Sequence, residues 1–324
     1  FAKKLERPQA AEGTKSTVLH EGKMAEACMV DDAPAKIDAV LTEWAADTDE
    51  AFVACVVRHG VIVLHKAYGT RDGKPMTTDT NSYMASLSKL VSGTCVMMAV
   101  DQGLIDLDAP IENYSPAFRG AKFNAMPTMR HLYSHIVGMT SHRGEGDHEL
   151  ESLCAEFAPF TPVGKRYEYN GLSLELGLKL LEQVTGECYP RYVKKHLLTP
   201  LGCEDTEALN ASWNTRSTAM DMAKIGQMLL NGGAYGDARF FSEKTRDAML
   251  PRKLTQLGEN AGDQEYGVGT SWSTGDGLSD RCFGHGAASS ATLRIDLKHD
   301  LIISMTRNAA GKNFSKYHPK FIQT

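Results

Sequence analysis

The 324-residue chain lacks any apolar run long enough to span a membrane, any Cys-x-x-Cys pair, any Gly-x-x-x-x-Gly-Lys loop and any Gly-x-Ser-x-Gly segment. These absences remove a membrane-spanning helix, a zinc ribbon, a phosphate-cradling loop and a strand-turn-helix nucleophile elbow. Seven cysteines, at 28, 55, 95, 154, 188, 203 and 282, are scattered and odd in number, which indicates core thiols rather than a disulfide framework. A basic excess is also missing. With 35 Lys and Arg against 40 Asp and Glu, the net charge is −5, which offers no attraction to nucleic acid or an anionic membrane. What remains is 42% hydrophobic and 23% charged residues, enough for a sizeable core in one large domain or two tightly joined lobes.

Residues 1 to about 30 are polar and aperiodic and read as a tail or linker over the surface, followed by one domain over 31–324. Asp32, Pro34 and the spacing of Ile37, Val40, Leu41 and Trp44 predict a helix with one buried face. Phe52 to Val57 and Val61 to Tyr68, separated by Arg58-His59-Gly60, predict an antiparallel hairpin. Residues 111–205 read as a mostly helical lobe, clearest at Arg130 to His135 and Leu172 to Val184. Thr218 with Asp221 predicts a capping box opening a further helix, closed at Gly232-Gly233. Strands are expected at Tyr266 to Trp272, Cys282 to Ala288, Ala291 to Asp296 and Leu301 to Thr306, with a short helix near Asn313 to Ile322. Strands at both ends with helices between them predict one sheet assembled from distant segments.

Candidate chemistry centres on Ala85-Ser86-Leu87-Ser88-Lys89, where a turn-rich stretch enters an apolar helix. Residues three apart share a helix face, so the Lys89 amine can meet the Ser86 hydroxyl and activate it as a nucleophile. The helix N-terminus favours the oxyanion that acyl transfer creates. A capping serine followed by a surface lysine gives the same pattern, so the motif alone leaves both readings open. Tyr169 lies in a glycine-bounded loop, where a neighbouring ammonium is expected to lower its pKa and fit it to shuttle a proton. Phe283-Gly284-His285-Gly286-Ala287-Ala288 reads as a strand whose backbone N–H groups can complete an oxyanion hole with that of Ser86. His131 and His135 stand four apart on a helix, but no glutamate follows His131, and no metal site is expected.

Several stretches together, in order, give the chain a specific resemblance. They are Ala85-Ser86-Leu87-Ser88-Lys89, Gln102 to Pro110, Arg130 to His135, Asp221-Met222-Ala223 with Gly232-Gly233, Tyr266-Gly267-Val268-Gly269 and Gly284-His285-Gly286. From about Gly22 to Asn308 the chain resembles the serine β-lactamase and penicillin-binding-protein-like hydrolases, in the branch with class C β-lactamases, D-amino-acid peptidases and esterases of β-lactamase fold. The resemblance implies an α+β fold of the β-lactamase/transpeptidase type: an antiparallel sheet flanked by helices, with a helical lobe and the active site between them.

It further implies Ser86 as nucleophile, Lys89 as general base, Tyr169 as second proton shuttle and His285 as the polar residue of a third motif, with Gly286, Ala287 and Ala288 beside it. No cofactor or metal is implied, the partner is a small ester, amide or D-peptide, and the setting is extracytoplasmic, although no targeting segment is visible. Two departures stand out. Gly171 occupies the place of the asparagine in the family's Tyr-x-Asn, and Ala287 replaces a glycine, where its methyl group could narrow the cleft. The expected activity is hydrolysis of short acyl esters. D-peptidase or β-lactamase activity and a catalytically silent peptide- or glycan-binding role are the alternatives.

Overall fold

The computed structural model describes residues 16–139, 150–258, 261–275 and 277–324. Of the expected tail, residues 1–15 lie outside this set. Residues 16–30 run across the surface, pinned by bridges from Ser16 to Gly236 and from His20 to Val61, with Ala27 buried.

Six strands form one antiparallel sheet: β1 (Phe52–Arg58), β2 (Val61–Tyr68), β3 (Ser271–Trp272), β4 (Cys282–Gly286), β5 (Thr292–Asp296) and β6 (Leu301–Thr306), in the order β3-β4-β5-β6-β1-β2. Both chain ends thus meet in the sheet, with Val53 opposite Thr306. Strand β1 is apolar at successive positions because both of its faces are covered. Val53, Cys55 and Val57 enter the main core, while Phe52, Ala54 and Val56 pack with helices α1 (Ala33–Ala46) and α6 (Phe314–Gln323). On the main-core side, α5 (Ala219–Leu230) lies across β1, β5 and β6.

The helix carrying the Ser-x-x-Lys pair, α2 (Ser88–Asp101), follows a single 3-10 turn at Ala85–Leu87 and is buried along almost its whole length. It packs against α4 (Leu172–Thr185), and α4 packs against the short α3 (Met129–Tyr133). One apolar cluster runs through these helices and the facing side of the sheet. The turn that carries Ser86 is therefore anchored in the main core, through Leu87 and α2.

Three local expectations need correction. The run Tyr266 to Trp272 is not one strand: Glu265–Tyr266 and Ser271–Trp272 are separate, and 267–270 bends across α2. Gly269 has φ +68°, and a Cβ there would lie 2.0 Å from the Lys89 carbonyl oxygen, so only glycine lets this bend touch the helix at Lys89. Strand β4 stops at Gly286, and a turn closed by Ser290 N–H donating to the Ala287 carbonyl follows it. At α5 only half of the capping box forms. Thr218 accepts from the Asp221 N–H, while the Asp221 carboxylate accepts from Asp205 N–H and Thr206 instead. No helix among the described residues is long and apolar enough to cross a membrane.

Candidate active site

The 3-10 turn presents Ser86 at the mouth of α2, and β4 packs directly against that turn. Ala85, just before the serine, has φ +42°, a left-handed conformation that costs a residue with a Cβ about 1 kcal/mol. Strain of this kind persists only where the surroundings hold it. Here Leu87 N–H bonds the Met84 carbonyl, and the Ser88 hydroxyl donates to the Ala85 carbonyl at 2.7 Å.

Lys89 lies one helical turn from the serine, with Nζ 3.2 Å from Ser86 Oγ and 2.8 Å from the Ser212 carbonyl oxygen. It is 4% exposed. Burial disfavours the ammonium and pulls its pKa down to about 8, opposed by the charge of Glu175. A neutral amine still has N–H groups for the Ser212 carbonyl and a lone pair for the serine proton.

Tyr169 stands beside Ser86, and Lys89 Nζ is 4.7 Å from the centre of its ring. The expected lowering of its pKa is reversed. Burial raises it, the neighbouring Ser86 only partly offsets this, and the lysine lies over the ring instead of beside the phenolic oxygen. Tyr169 is thus a protonated hydroxyl at neutral pH, able to pass a proton along but not to begin as phenolate.

His285 is buried with both ring nitrogens engaged. Nδ1 donates to the Gly286 carbonyl, which leaves Nε2 to accept from the Tyr266 hydroxyl at 2.8 Å. Burial brings its pKa down to about 4, so it brings no positive charge to the cleft. Ala287 packs against the main core. Neither nearby arginine is placed in the cleft: Arg281 rests over the Trp272 ring, and Arg294, paired with Ile303, lies on the α1 and α6 face of the sheet, opposite His285.

His131 and His135 serve separate places. His131 Nδ1 accepts from Thr128 N–H at the start of α3, while His135 is fully buried against the rings of Tyr169, Tyr167 and Tyr266. Its Nδ1 accepts from Asn170 N–H at 3.4 Å, and burial lowers its pKa to about 3. Among the described residues no three potential metal ligands come together. The aromatic floor formed by His135, Tyr167 and Tyr266 was not legible as a unit in the sequence, although all three residues stand in or beside motifs that were. Glu175 and Ser212 were missed altogether.

The Beta-lactamase family model matches residues 45–322. The chain belongs to the Beta-lactamase family. Within it, the chain is 28% identical to the esterase EstB of Burkholderia gladioli over 186 residues, which are 49% of this chain and 47% of EstB. It is 30% identical over 158 residues to the esterase/beta-lactamase LipL of Mycobacterium tuberculosis, covering 46% of this chain and 36% of LipL. The chain thus spans less than half the length of these curated relatives. A solved family VIII carboxylesterase shares the fold over 92% of this chain and 94% of its own, with a TM-score of 0.72 at 19% identity. The Beta-lactamase family fold, an antiparallel sheet with flanking helices, is the one expected.

Proposed function

We propose that this protein hydrolyses short, uncharged acyl esters through an acyl-enzyme on Ser86. The observation that carries the reading is the Ser86 hydroxyl 3.2 Å from Lys89 Nζ and beside Tyr169, with the lysine brought to a pKa of about 8. Neutral Lys89 takes the serine proton as Oγ bonds to the ester carbonyl carbon. The resulting oxyanion is held by backbone N–H groups of Ser86 and of the segment Gly286-Ala287-Ala288. Tyr169 gives its proton to the departing alkoxide and recovers one from the Lys89 ammonium. Water then follows the same path in reverse and releases the acid.

The ester preference follows from His285, whose neutrality leaves the third motif without a cation for a substrate carboxylate. A second reading, hydrolysis of a carboxylate-bearing β-lactam or D-peptide, needs a cation from elsewhere, because Arg294 shares the face of Ile303 on the α1 and α6 side of the sheet, away from Ser86. Rates on p-nitrophenyl butyrate, a chromogenic cephalosporin and a D-Ala-D-Ala peptide decide between them. We expect the highest kcat/KM on the ester. A higher value for either carboxylate-bearing substrate makes the second reading primary, and no turnover or fluorophosphonate adduct at all leaves a binding protein.

Tyr169→Phe should lower the acylation rate by about 10²-fold, the lower end for a positioned proton donor. Because its role is to protonate the leaving group, the loss should be greater for an ethyl ester than for a p-nitrophenyl ester, whose leaving group needs no proton. Equal losses on both would remove Tyr169 from the leaving-group step.

A further inference from the structure

A buried carboxylate lies behind the lysine, outside the serine-lysine-tyrosine set. Glu175, in the first turn of α4, accepts from the Ser212 hydroxyl at 2.7 Å through Oε1 and from the Ala211 N–H at 3.1 Å through Oε2. Burial raises the pKa of this carboxyl, and the bonds from Ser212 and Ala211 and the charge of Lys89 oppose that and favour the ionised form. The same two loop residues face the catalytic helix: the Ser212 carbonyl receives Lys89 Nζ at 2.8 Å, and the Ala211 carbonyl receives the Ser92 hydroxyl at 2.8 Å. The loop is thus clamped between α4 and α2, and its carbonyl sets where the amine stands.

Gly171 completes this arrangement. A Cβ there would lie 2.6 Å from Ser212 Oγ and 3.1 Å from Ser212 Cβ, so any side chain at 171 evicts the hydroxyl that Glu175 binds. The glycine that departs from Tyr-x-Asn therefore makes room for a different support. Asn170, next to it, is occupied in capping α4, accepting from the Ser173 N–H at 3.2 Å and donating to the Glu168 carbonyl.

We propose that Glu175 and Ser212 form a positioning pair that fixes Lys89 against Ser86, a role made possible by Gly171. The proposal rests on Lys89 acting as the base toward Ser86. Glu175 touches no reacting atom; it acts through the Ser212 carbonyl and through its charge. The other polar groups around Lys89 are Ser86 and Tyr169 on the cleft side, with His135 and His285 near enough to feel its charge and both neutral. Glu175 is therefore the anionic group that favours the ammonium.

The test is the pH profile of kcat/KM on p-nitrophenyl butyrate for the wild type, Glu175→Gln, Ser212→Ala and Lys89→Ala. In the wild type the rate should rise with pH as Lys89 loses its proton. Glu175→Gln removes the charge that holds the proton on, so the rising limb should move to lower pH. Its plateau should also fall by about tenfold in kcat with little change in KM, because an amide NH2 cannot accept from both Ser212 and Ala211. Ser212→Ala keeps the carbonyl but frees the loop from Glu175, and should lower kcat by about tenfold even if Glu175→Gln does not fold. Gly171→Ala should match Ser212→Ala, and the double variant should lose no more than either alone, since all three break one contact. An unmoved limb in Glu175→Gln, or unchanged kcat in Ser212→Ala, overturns the pair while leaving the base assignment intact. A wild-type limb that survives in Lys89→Ala overturns the base assignment, and the pair with it.

Discussion

Ser86→Ala is expected to form no fluorophosphonate adduct by intact-protein mass and to hydrolyse p-nitrophenyl butyrate at the buffer rate. Removing the nucleophile of an acyl-transfer site costs on the order of 10⁶-fold, more than any other single change here. Two nearby serines are poor substitutes. Ser88 is buried and its hydroxyl donates to the Ala85 carbonyl, and the Ser212 hydroxyl is committed to Glu175. The substitution deletes one hydroxyl from a partly exposed turn and leaves Ala85, Ser88 and the packing of α2 untouched, so thermal stability should change little. Labelling that persists at full rate would remove Ser86 as nucleophile. A label found on Ser212 would point to the serine that has its own carboxylate.

Why so much of this site was legible lies in its locality. Ser86 and Lys89 share one helical turn, so spacing alone brings Oγ and Nζ together, and the burial of α2 follows from its apolar run. The hairpin of β1 and β2 and the amphipathic α1 and α4 were readable for the same reason. What failed depended on groups distant in sequence. The sign of the Tyr169 shift was set by burial and by a lysine over its ring, neither visible in a loop sequence. Continuity from Tyr266 to Trp272 failed because Gly269 meets α2 at Lys89 and Gly267 lies against the Met249 carbonyl, contacts that periodicity does not register. Glu175 escaped notice because an acidic residue in a first helical turn is already explained by the helix dipole. Its partner Ser212 is 37 residues away, and only the neighbouring glycine at 171 hinted that something fills that space.

Lys89→Met should lower the acylation rate by about 10² to 10⁴-fold, the usual contribution of a positioned base, and erase the rising pH limb. It should also reveal what the buried amine does to the fold. Folded Lys89 holds its proton with a pKa of about 8 against an ordinary 10.5, so between these values the unfolded chain binds more protons and stability rises with pH. At pH 7 the charged amine makes folding less favourable by about 3 kcal/mol, and that cost disappears above about pH 10.5. Methionine fills similar volume without a charge, though it leaves the Ser212 carbonyl without its donor, which offsets part of the gain. The pH dependence is not offset, because every other group titrates in both proteins. Chemical denaturation at a series of pH values from 7 to 10.5 should therefore show wild-type stability rising relative to Lys89→Met. A difference that stays constant with pH would mean that Lys89 is not depressed, and a difference that moves the other way would mean that the folded protein holds the ammonium more tightly than water does. Either result would leave the serine without a neutral amine at physiological pH.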